Sequence, residues 1–135
     1  MSESLMHITL VQLVVMYIKD NYMTSDAIIN IDAPNQKQNK PPTFLDGYSP
    51  DIFVKNKSIM IIGEAKTEED ALRTHSINQY KCYLSECNSF IGDAFFILAA
   101  PWSVQISLSN KLRKLCKDIG LDKSRCVVLN QIGDR

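Results

Sequence analysis

The sequence predicts one α/β domain in which a mixed β-sheet of about five strands is flanked by helices. The predicted elements run in the order α-β-β-β-α-β-α-β, which favours helices packed on both sides of a sheet. The stretch "DAFFILAA" is uninterrupted and apolar, as in strands covered on both faces. The 135 residues, 45% hydrophobic and 22% charged, match an ordinary globular chain with one core. We expect a single domain over residues 1–135.

The N-terminal third predicts a helix, a strand and a long loop. A helix is expected over residues 3–22, because its apolar residues recur with a helical period. The β-branched run at 27–31 predicts a strand. It leads into a loop at 33–43 that is rich in Pro, Asn, Gln and Lys and is a candidate for substrate contact. The predicted buried stripe of the helix is Leu5, Ile8, Val11, Val15 and Ile18.

Two further strands and two further helices follow. Strands at 51–55 and 58–66, separated by a polar turn, predict a hairpin. A helix is expected over 75–91, then the strand at 93–100. A helix at 107–118 should stop near Gly120, followed by a last strand at 125–129. The predicted buried stripe of the helix at 75–91 is Ile77, Tyr80, Leu84, Cys87 and Ile91.

Three charged residues stand in the apolar hairpin where valines would be expected. Glu64 and Lys66 lie two positions apart and therefore share one face of the strand. A two-residue turn places Asp51 opposite Ile62, and a turn centred one residue later places it opposite Glu64. Both registers bring the carboxylates to one face, whereas the register between them separates the two.

Two neighbouring carboxylates without nitrogen or sulfur ligands suit a hard cation. Mg²⁺ prefers oxygen ligands, retains several waters and is often completed by substrate phosphate oxygens. The hairpin therefore predicts a metal site directed at phosphate. The competing interpretations are that Asp51 is a turn residue after Pro50, and that Glu64 and Lys66 form a structural pair at a strand end.

The motif Pro50-Asp51 at a strand start, followed by Glu64, Ala65 and Lys66, resembles the PD-(D/E)XK nuclease superfamily. That superfamily has the restriction-endonuclease-like fold, and the resemblance extends to the order of elements over most of the chain. In addition, "QYKCY" gives Gln79 and Tyr83 the spacing of the QxxxY signature of the RecB-like branch. A solvated Gln and a buried, helix-anchoring Tyr would give the same pattern.

The resemblance implies a metal-dependent DNA phosphodiester hydrolase. Asp51, Glu64 and the backbone carbonyl of Ala65 would hold Mg²⁺ or Mn²⁺. Lys66 would orient or help deprotonate the attacking water, or act as a fixed positive charge, and Gln79 and Tyr83 would position the nucleophile or a phosphate. Some Holliday-junction-resolvase relatives carry an additional metal-site glutamate in the first helix. Glu3 is the candidate here, or else an acid that stabilises the first helical turn.

The expected partner is DNA, with a homodimer or a partner protein as a further possibility. We expect no appended helix-turn-helix or zinc-finger module, so selectivity would come from shape, loops or a partner. The alternative function is a catalytically inactive nuclease-fold module that binds DNA within a larger nucleic-acid-processing complex. A structural protein with an accidental motif would require a buried acid pair and lysine without a ligand.

Three other residues and one surface have weaker functional interpretations. Asp46 is expected in a turn rather than as a supplementary carboxylate, His75 near a helix start rather than in contact with phosphate, and Trp102 in packing rather than base stacking. The formal net charge is zero, but basic residues concentrate near the C-terminus, where they form a solvated surface or a phosphate-binding face. The members of this surface are Lys111, Arg113, Lys114, Lys117, Lys123 and Arg125.

The cysteine spacing and the N-terminal sequence predict a cytoplasmic protein. The four cysteines show no CxxC spacing, which argues against a structural zinc site and favours reduced thiols. The apolar run at 10–18 is too short to span a bilayer and lacks the flanking residues of a signal peptide. No membrane association is expected.

Overall fold

The computed structural model describes residues 5–22, 29–32, 40–44 and 46–130, and it confirms an α/β architecture. Two single-turn 3₁₀ helices, Trp102–Val104 and Lys123–Arg125, accompany the main elements. The main elements are α1 (Leu5–Asn21), β1 (Ile29–Ile31), β2 (Ile52–Lys55), β3 (Ile59–Ala65), α2 (Thr74–Ser89), β4 (Asp93–Ala100), α3 (Gln105–Ile119) and β5 (Cys126–Asn130).

The described strands form one five-stranded mixed sheet, as predicted. Their spatial order follows the chain, β1-β2-β3-β4-β5. β1, β2 and β3 pair in antiparallel fashion, whereas β3, β4 and β5 are parallel. The helices α2 and α3 provide the crossovers that parallel neighbours need. The carboxyl ends of β3, β4 and β5 consequently meet at one edge of the sheet.

The sheet separates two apolar cores. One core contains α1 together with Ile61 and Ala65 of β3. The other contains α2 and α3 together with Ile62 of β3. Since side chains alternate along a strand, Glu64 follows Ile62 onto the α2 side, and Asp51 shares that side with Phe53 of β2. The Glu64 carboxylate therefore faces the α2 layer, whereas Asp51, just before β2 at the end of the sheet, is also contacted from α1.

The predicted buried stripe of α1 was wrong in part: Ile18 is buried as predicted and Val11 and Val15 are half-buried, but the centre of the buried face lies elsewhere. Leu5 and Ile8 are exposed, whereas Leu10, Val14 and Ile18 are the fully buried residues of the helix. The helix is apolar around most of its circumference, so the apolar period did not select one face. Packing against β3 and β4 selects it instead.

The predicted helix at 75–91 ends earlier, at Ser89. Phe90 has an extended backbone and Gly92 has φ 135°, a conformation available to glycine. A Cβ at Gly92 would also lie 2.7 Å from the carbonyl oxygen of Ser58, so the chain turns into β4 where only glycine fits. As a result Ile91, predicted in the buried stripe, is 93% exposed, while Tyr80, Leu84 and Cys87 are buried as predicted.

The remaining boundaries lie close to their predictions. The helix predicted at 107–118 extends over Gln105–Ile119 and stops at Gly120, which has φ 75°. The strand predicted at 125–129 is shifted by one residue. The strand predicted at 27–31 is described only over Ile29–Ile31.

Gly63 permits the close approach of α1 to the sheet. A Cβ built at Gly63 would lie 2.8 Å from Val14 Cγ1 and 3.1 Å from Ile52 Cβ. Val14 and Ile52 are both fully buried, so neither has open space to move into. The absence of a side chain at Gly63 thus sets how deeply α1 lies against the centre of β3.

We predict that Gly63→Ala lowers the free energy of unfolding by about 1–3 kcal/mol, because the added methyl group overpacks this contact. Urea denaturation of the variant and the native chain measures the difference. In a Val14→Ala background the same substitution should have a smaller effect, since the clashing methyl group is gone. An equal loss in both backgrounds would show that the contact with Val14 is not the cause.

Candidate functional site

The candidate site lies where β3 ends and β2 begins. The register that pairs Ile52 with Gly63 continues by one residue, so that Asp51 stands opposite Glu64. The Asp51 backbone N–H donates to Glu64 Oε1 at 3.2 Å, and Asp51 Oδ2 accepts from the Ala65 backbone N–H at 2.9 Å. Of the two hairpin registers that unite the carboxylates, the structure has the one with the later turn. The interpretation of Asp51 as a turn residue alone does not account for these side-chain bonds.

Lys66 joins this carboxylate pair. Its Nζ lies 3.5 Å from Glu64 Oε2 and donates a short hydrogen bond to Gln79 Oε1. Gln79 comes from the second turn of α2 and is buried. Its interpretation as a solvated residue was therefore wrong. One ammonium group is fixed between a strand carboxylate and a helix amide.

Tyr83 lies one helical turn after Gln79 and is fully buried. Its ring packs against those of Phe44 and Phe96, with centroids 6.0 and 5.6 Å away. The buried hydroxyl has no hydrogen bond of standard geometry within the described residues, although it lies in the field of the Glu64 carboxylate. Burial, and then the charges of Glu64 and Asp51, raise the pKa of Tyr83, which keeps the phenol protonated. Tyr83 is both an anchor of α2 and a potential donor at the site.

His7 is a residue of this cluster that the sequence reasoning missed. Its Nε2 lies 3.3 Å from Asp51 Oδ2, on the side of Asp51 that faces α1. A signal was available, because His7 precedes the observed buried stripe Leu10, Val14 and Ile18 at spacings of three, four and four. A polar residue that continues a buried helical stripe toward a strand end is a candidate site residue.

Glu64 has an unusual electrostatic environment. Only 4% of the residue is exposed. Burial, and then the charge of Asp51, raise the pKa of Glu64 to about 8, although Lys66 and the Asp51 N–H favour the charged form. The single ammonium of Lys66 thus compensates two carboxylates incompletely. A further cation at this position would favour the ionised form of Glu64.

The donor set fits a hard divalent cation. Asp51 and Glu64 offer carboxylate oxygens. Because a strand residue directs its N–H and C=O to the same side, the Ala65 carbonyl faces the side on which its N–H meets Asp51. Mg²⁺ needs few protein ligands and keeps waters, so two carboxylates and one carbonyl suffice.

Two observations limit the protein ligand set. Across residues 5–22, 29–32, 40–44 and 46–130, no three His, Cys, Asp or Glu side chains form a metal-holding group. Glu3 lies outside the described residues. A metal at this site would therefore depend on water or substrate oxygens for the rest of its shell.

Most other candidates lie elsewhere. Asp46 is exposed in a turn with Gly47, and His75 is exposed near the start of α2, as expected. Trp102 was expected in packing, but it is 61% exposed, so that prediction was wrong. The loop predicted at 33–43 is described only over residues 40–43.

The basic C-terminal residues do not form one uniform phosphate-binding face. Arg125 Nη1 lies 3.1 Å from Asp93 Oδ1, and Arg113 donates to Asn110 at 3.4 Å. Lys111 is half-buried between α3 and α2, whereas the other lysines of the group are exposed. Within the described residues, the two arginines thus have local partners, whereas most of the lysines are solvated.

Comparison of the chain with protein-family models, with curated proteins and with solved structures found no match. The restriction-endonuclease-like core and the nuclease activity therefore stay predictions. In the part of the chain that the structure describes, no helix is long and apolar enough to cross a membrane.

We predict that Glu64→Gln makes the protein more stable relative to the native chain as the pH rises from about 5 to about 8. The folded-state pKa of Glu64 is raised from 4.5 to about 8, so folding favours the protonated carboxyl group. Its contribution to stability is present below the unfolded-state pKa and is lost as the pH rises through the folded-state pKa. Glutamine does not titrate. Thermal unfolding of both proteins across this range, without divalent metal, measures the difference, and parallel pH profiles would contradict the raised pKa.

Proposed function

We propose that this protein is a metal-dependent DNA phosphodiester hydrolase. The observation that carries the proposal is the cluster of Asp51, Glu64, Lys66 and Gln79 at one end of β3. Charged side chains are seldom buried in an apolar sheet unless they are paired or serve chemistry. These same residues carry the resemblance to the PD-(D/E)XK superfamily. An accidental motif would not require side chains from a hairpin and a helix to converge.

The metal ligands we propose are Asp51, Glu64 and the Ala65 carbonyl. Bound there, Mg²⁺ or Mn²⁺ would lower the pKa of a coordinated water and offset negative charge on the scissile phosphate. The raised pKa of Glu64 supports this assignment, because the two carboxylates tolerate each other poorly without a further positive charge. Because all three proposed ligands are oxygen atoms, the site favours a hard metal ion over a soft one.

Lys66 is the proposed residue nearest to the reacting phosphate. Its ammonium is held by Glu64 on the strand and by Gln79 on the helix, so its position is fixed before substrate binds. A fixed ammonium there either orients the attacking water or stabilises charge that develops on the phosphoryl oxygens. Gln79 acts on the reaction by positioning Lys66.

His7 and Tyr83 complete the arrangement from opposite sides. The contact of His7 with Asp51 fixes the orientation of that carboxylate from α1. The protonated Tyr83 hydroxyl is buried beside Glu64 and is suited to donate to that carboxylate. A homodimer would place two such sites together, which suits cleavage of both strands of a duplex.

The second candidate is an inactive nuclease-fold module that binds DNA. One observation favours it: the carboxylate oxygens already accept hydrogen bonds from backbone N–H groups and contact His7 and Lys66. In such a module these contacts would satisfy the carboxylates, and no metal ion would replace them. The response to divalent metal separates the two functions.

We predict that Mg²⁺ or Mn²⁺ raises the melting temperature of the native protein, because a ligand that binds only the folded state stabilises it. Glu64→Gln should abolish most of this rise, since it removes an anionic ligand. The measurement is thermal unfolding at pH 7.5 with increasing metal concentration. Glu86→Gln, at a half-buried position of α2 two helical turns beyond Gln79, is the matched control and should respond like the native chain. Equal responses in all three proteins would show that the metal acts elsewhere.

We predict that the native protein hydrolyses at least one member of a labelled DNA panel in the presence of Mg²⁺ or Mn²⁺. The panel contains a linear duplex, a single strand, a flap and a four-way junction. Lys66→Ala should lower the rate by at least about 100-fold, the usual contribution of a positioned catalytic side chain. Lys57→Ala is the control, because Lys57 lies in the exposed β2–β3 turn, at the opposite end of β3. Binding without cleavage by the native chain would favour the inactive module.

A further inference from the structure

A group of apolar side chains is exposed near the carboxyl end of β4. Trp102, the single tryptophan of the chain, is 61% exposed, Ile106 is 79% exposed and Leu72 is 43% exposed. Trp102 belongs to the 3₁₀ turn that leads into α3, and Ile106 is in the first turn of that helix. Exposed large apolar side chains that occur together indicate a binding surface rather than chance exposure.

Leu72 belongs to the same surface although it comes from a different loop. Ser103 Oγ donates to Glu68 Oε2 at 2.8 Å, which ties the turn of Trp102 to the loop between β3 and α2. Leu72 lies later in that loop and, with Ser107 of α3, lines a common groove. Leu72 thus lies on the wall of the space between α2 and α3, and Ile106 directly precedes Ser107, which lines the same space from α3.

That groove has a volume of about 440 Å³ and lies between the N-terminal halves of α2 and α3. Its charged lining consists of two lysines, Lys81 and Lys111, and it contains no carboxylate. Neither helix has an acidic residue in its first turn, so the positive end of each helix dipole is not neutralised there. The uncharged polar residues of the groove are Thr74, Asn78 and Ser107.

The acidic residues nearest in the chain are mostly engaged. Glu68 accepts the hydrogen bond from Ser103, and Asp70 Oδ1 lies 3.3 Å from Arg73 Nη1. Glu69 is exposed at the outer side of the loop. The groove lining thus carries two positive charges and no negative one, which is complementary to phosphate, while Glu68 keeps its negative charge at the loop beside Ser103.

We propose that Trp102 and the groove beside it bind unpaired nucleotides of single-stranded DNA. Trp102 stacks on one base, and Lys81 and Lys111 bind the phosphates that follow it. An exposed aromatic ring beside a cationic groove is the usual combination for single strands, because every base has a face that can stack. This inference rests on the proposed DNA hydrolysis and names the form of DNA that the protein holds.

The stacking requirement distinguishes a single strand from a duplex. A base within a duplex is covered on both faces by its neighbours, so it presents no face to Trp102 without first being unstacked. The lysines alone would bind either form through phosphate. Preference for the single strand therefore depends on Trp102, and salt dependence depends on Lys81 and Lys111.

The test uses the fluorescence of Trp102, which has no other tryptophan to obscure it. The native protein, in EDTA, is titrated with an oligothymidylate and with a hairpin duplex of equal phosphate count. The single strand should quench the fluorescence at concentrations at least about tenfold lower than the duplex does, since a stacked base contributes about 1–3 kcal/mol. Equal quenching by both forms, or quenching by neither, overturns the proposal.

Variants assign the two parts of the site, with anisotropy of a labelled oligothymidylate as the readout. Trp102→Ala should weaken binding about tenfold. The double variant Lys81→Ala/Lys111→Ala should reduce the slope of log affinity against log salt by about 1.4, as expected for two lost phosphate contacts on a single strand. Ile91→Ala and Lys57→Ala alter an exposed apolar residue and an exposed lysine at the other end of the sheet, and they should bind like the native chain.

Two further outcomes separate this inference from its alternatives. If Trp102→Ala binds as tightly as the native chain, or instead converts a dimer to a monomer in light scattering, the surface serves a protein contact and the proposal is overturned. If the native chain binds but does not cleave, the proposed hydrolysis fails and this site stands. If the native chain cleaves DNA and Trp102→Ala binds the oligothymidylate as tightly as the native chain does, the proposed hydrolysis stands and this binding site fails.

Discussion

The burial of Glu64 beside Asp51 is the constraint on which the arrangement of this molecule depends. Two carboxylates at opposed positions of a hairpin repel each other, and burial removes the water that would screen them. The structure surrounds the pair with donors from different elements: the Asp51 and Ala65 backbone N–H groups and the Lys66 ammonium, itself bound to α2 through Gln79. The place at which α2 docks on the sheet is therefore tied to the charge of the hairpin.

The hairpin and its partner helix could be predicted because their geometry is local. Strand alternation places Glu64 and Lys66 on one face in any register, and a short turn leaves few ways to oppose Asp51. The structure has one of the two favourable registers. The contact of Gln79 with Lys66 follows from a helix packed on the face where Ile62 is buried. The sequence did not determine the order of the strands in the sheet, but the observed order, in which consecutive strands are neighbours, is the common one.

The features that sequence reasoning missed depend on contacts between distant segments. Nothing within α1 distinguishes the face of Leu10 and Val14 from that of Ile8, because almost every turn is apolar. The missing side chain at Gly63 selects the buried face, because it leaves room for Val14 to pack against β3. His7 was missed for the same reason. Trp102 was expected in packing because large aromatic side chains are usually buried. Its exposure follows from the short turn between β4 and α3, which directs it away from both cores.

The sequence separations within the cluster have a consequence for how the chain assembles. The contacts of Asp51 with Glu64 and Ala65 span 13 and 14 residues, and that of Lys66 with Gln79 spans 13. Closing loops of this length removes little chain entropy, and the loss grows only with the logarithm of loop length. Charged groups such as these are costly to desolvate, yet they meet through connections of low contact order. The hairpin and α2 thus bring costly charged groups together while losing little chain entropy.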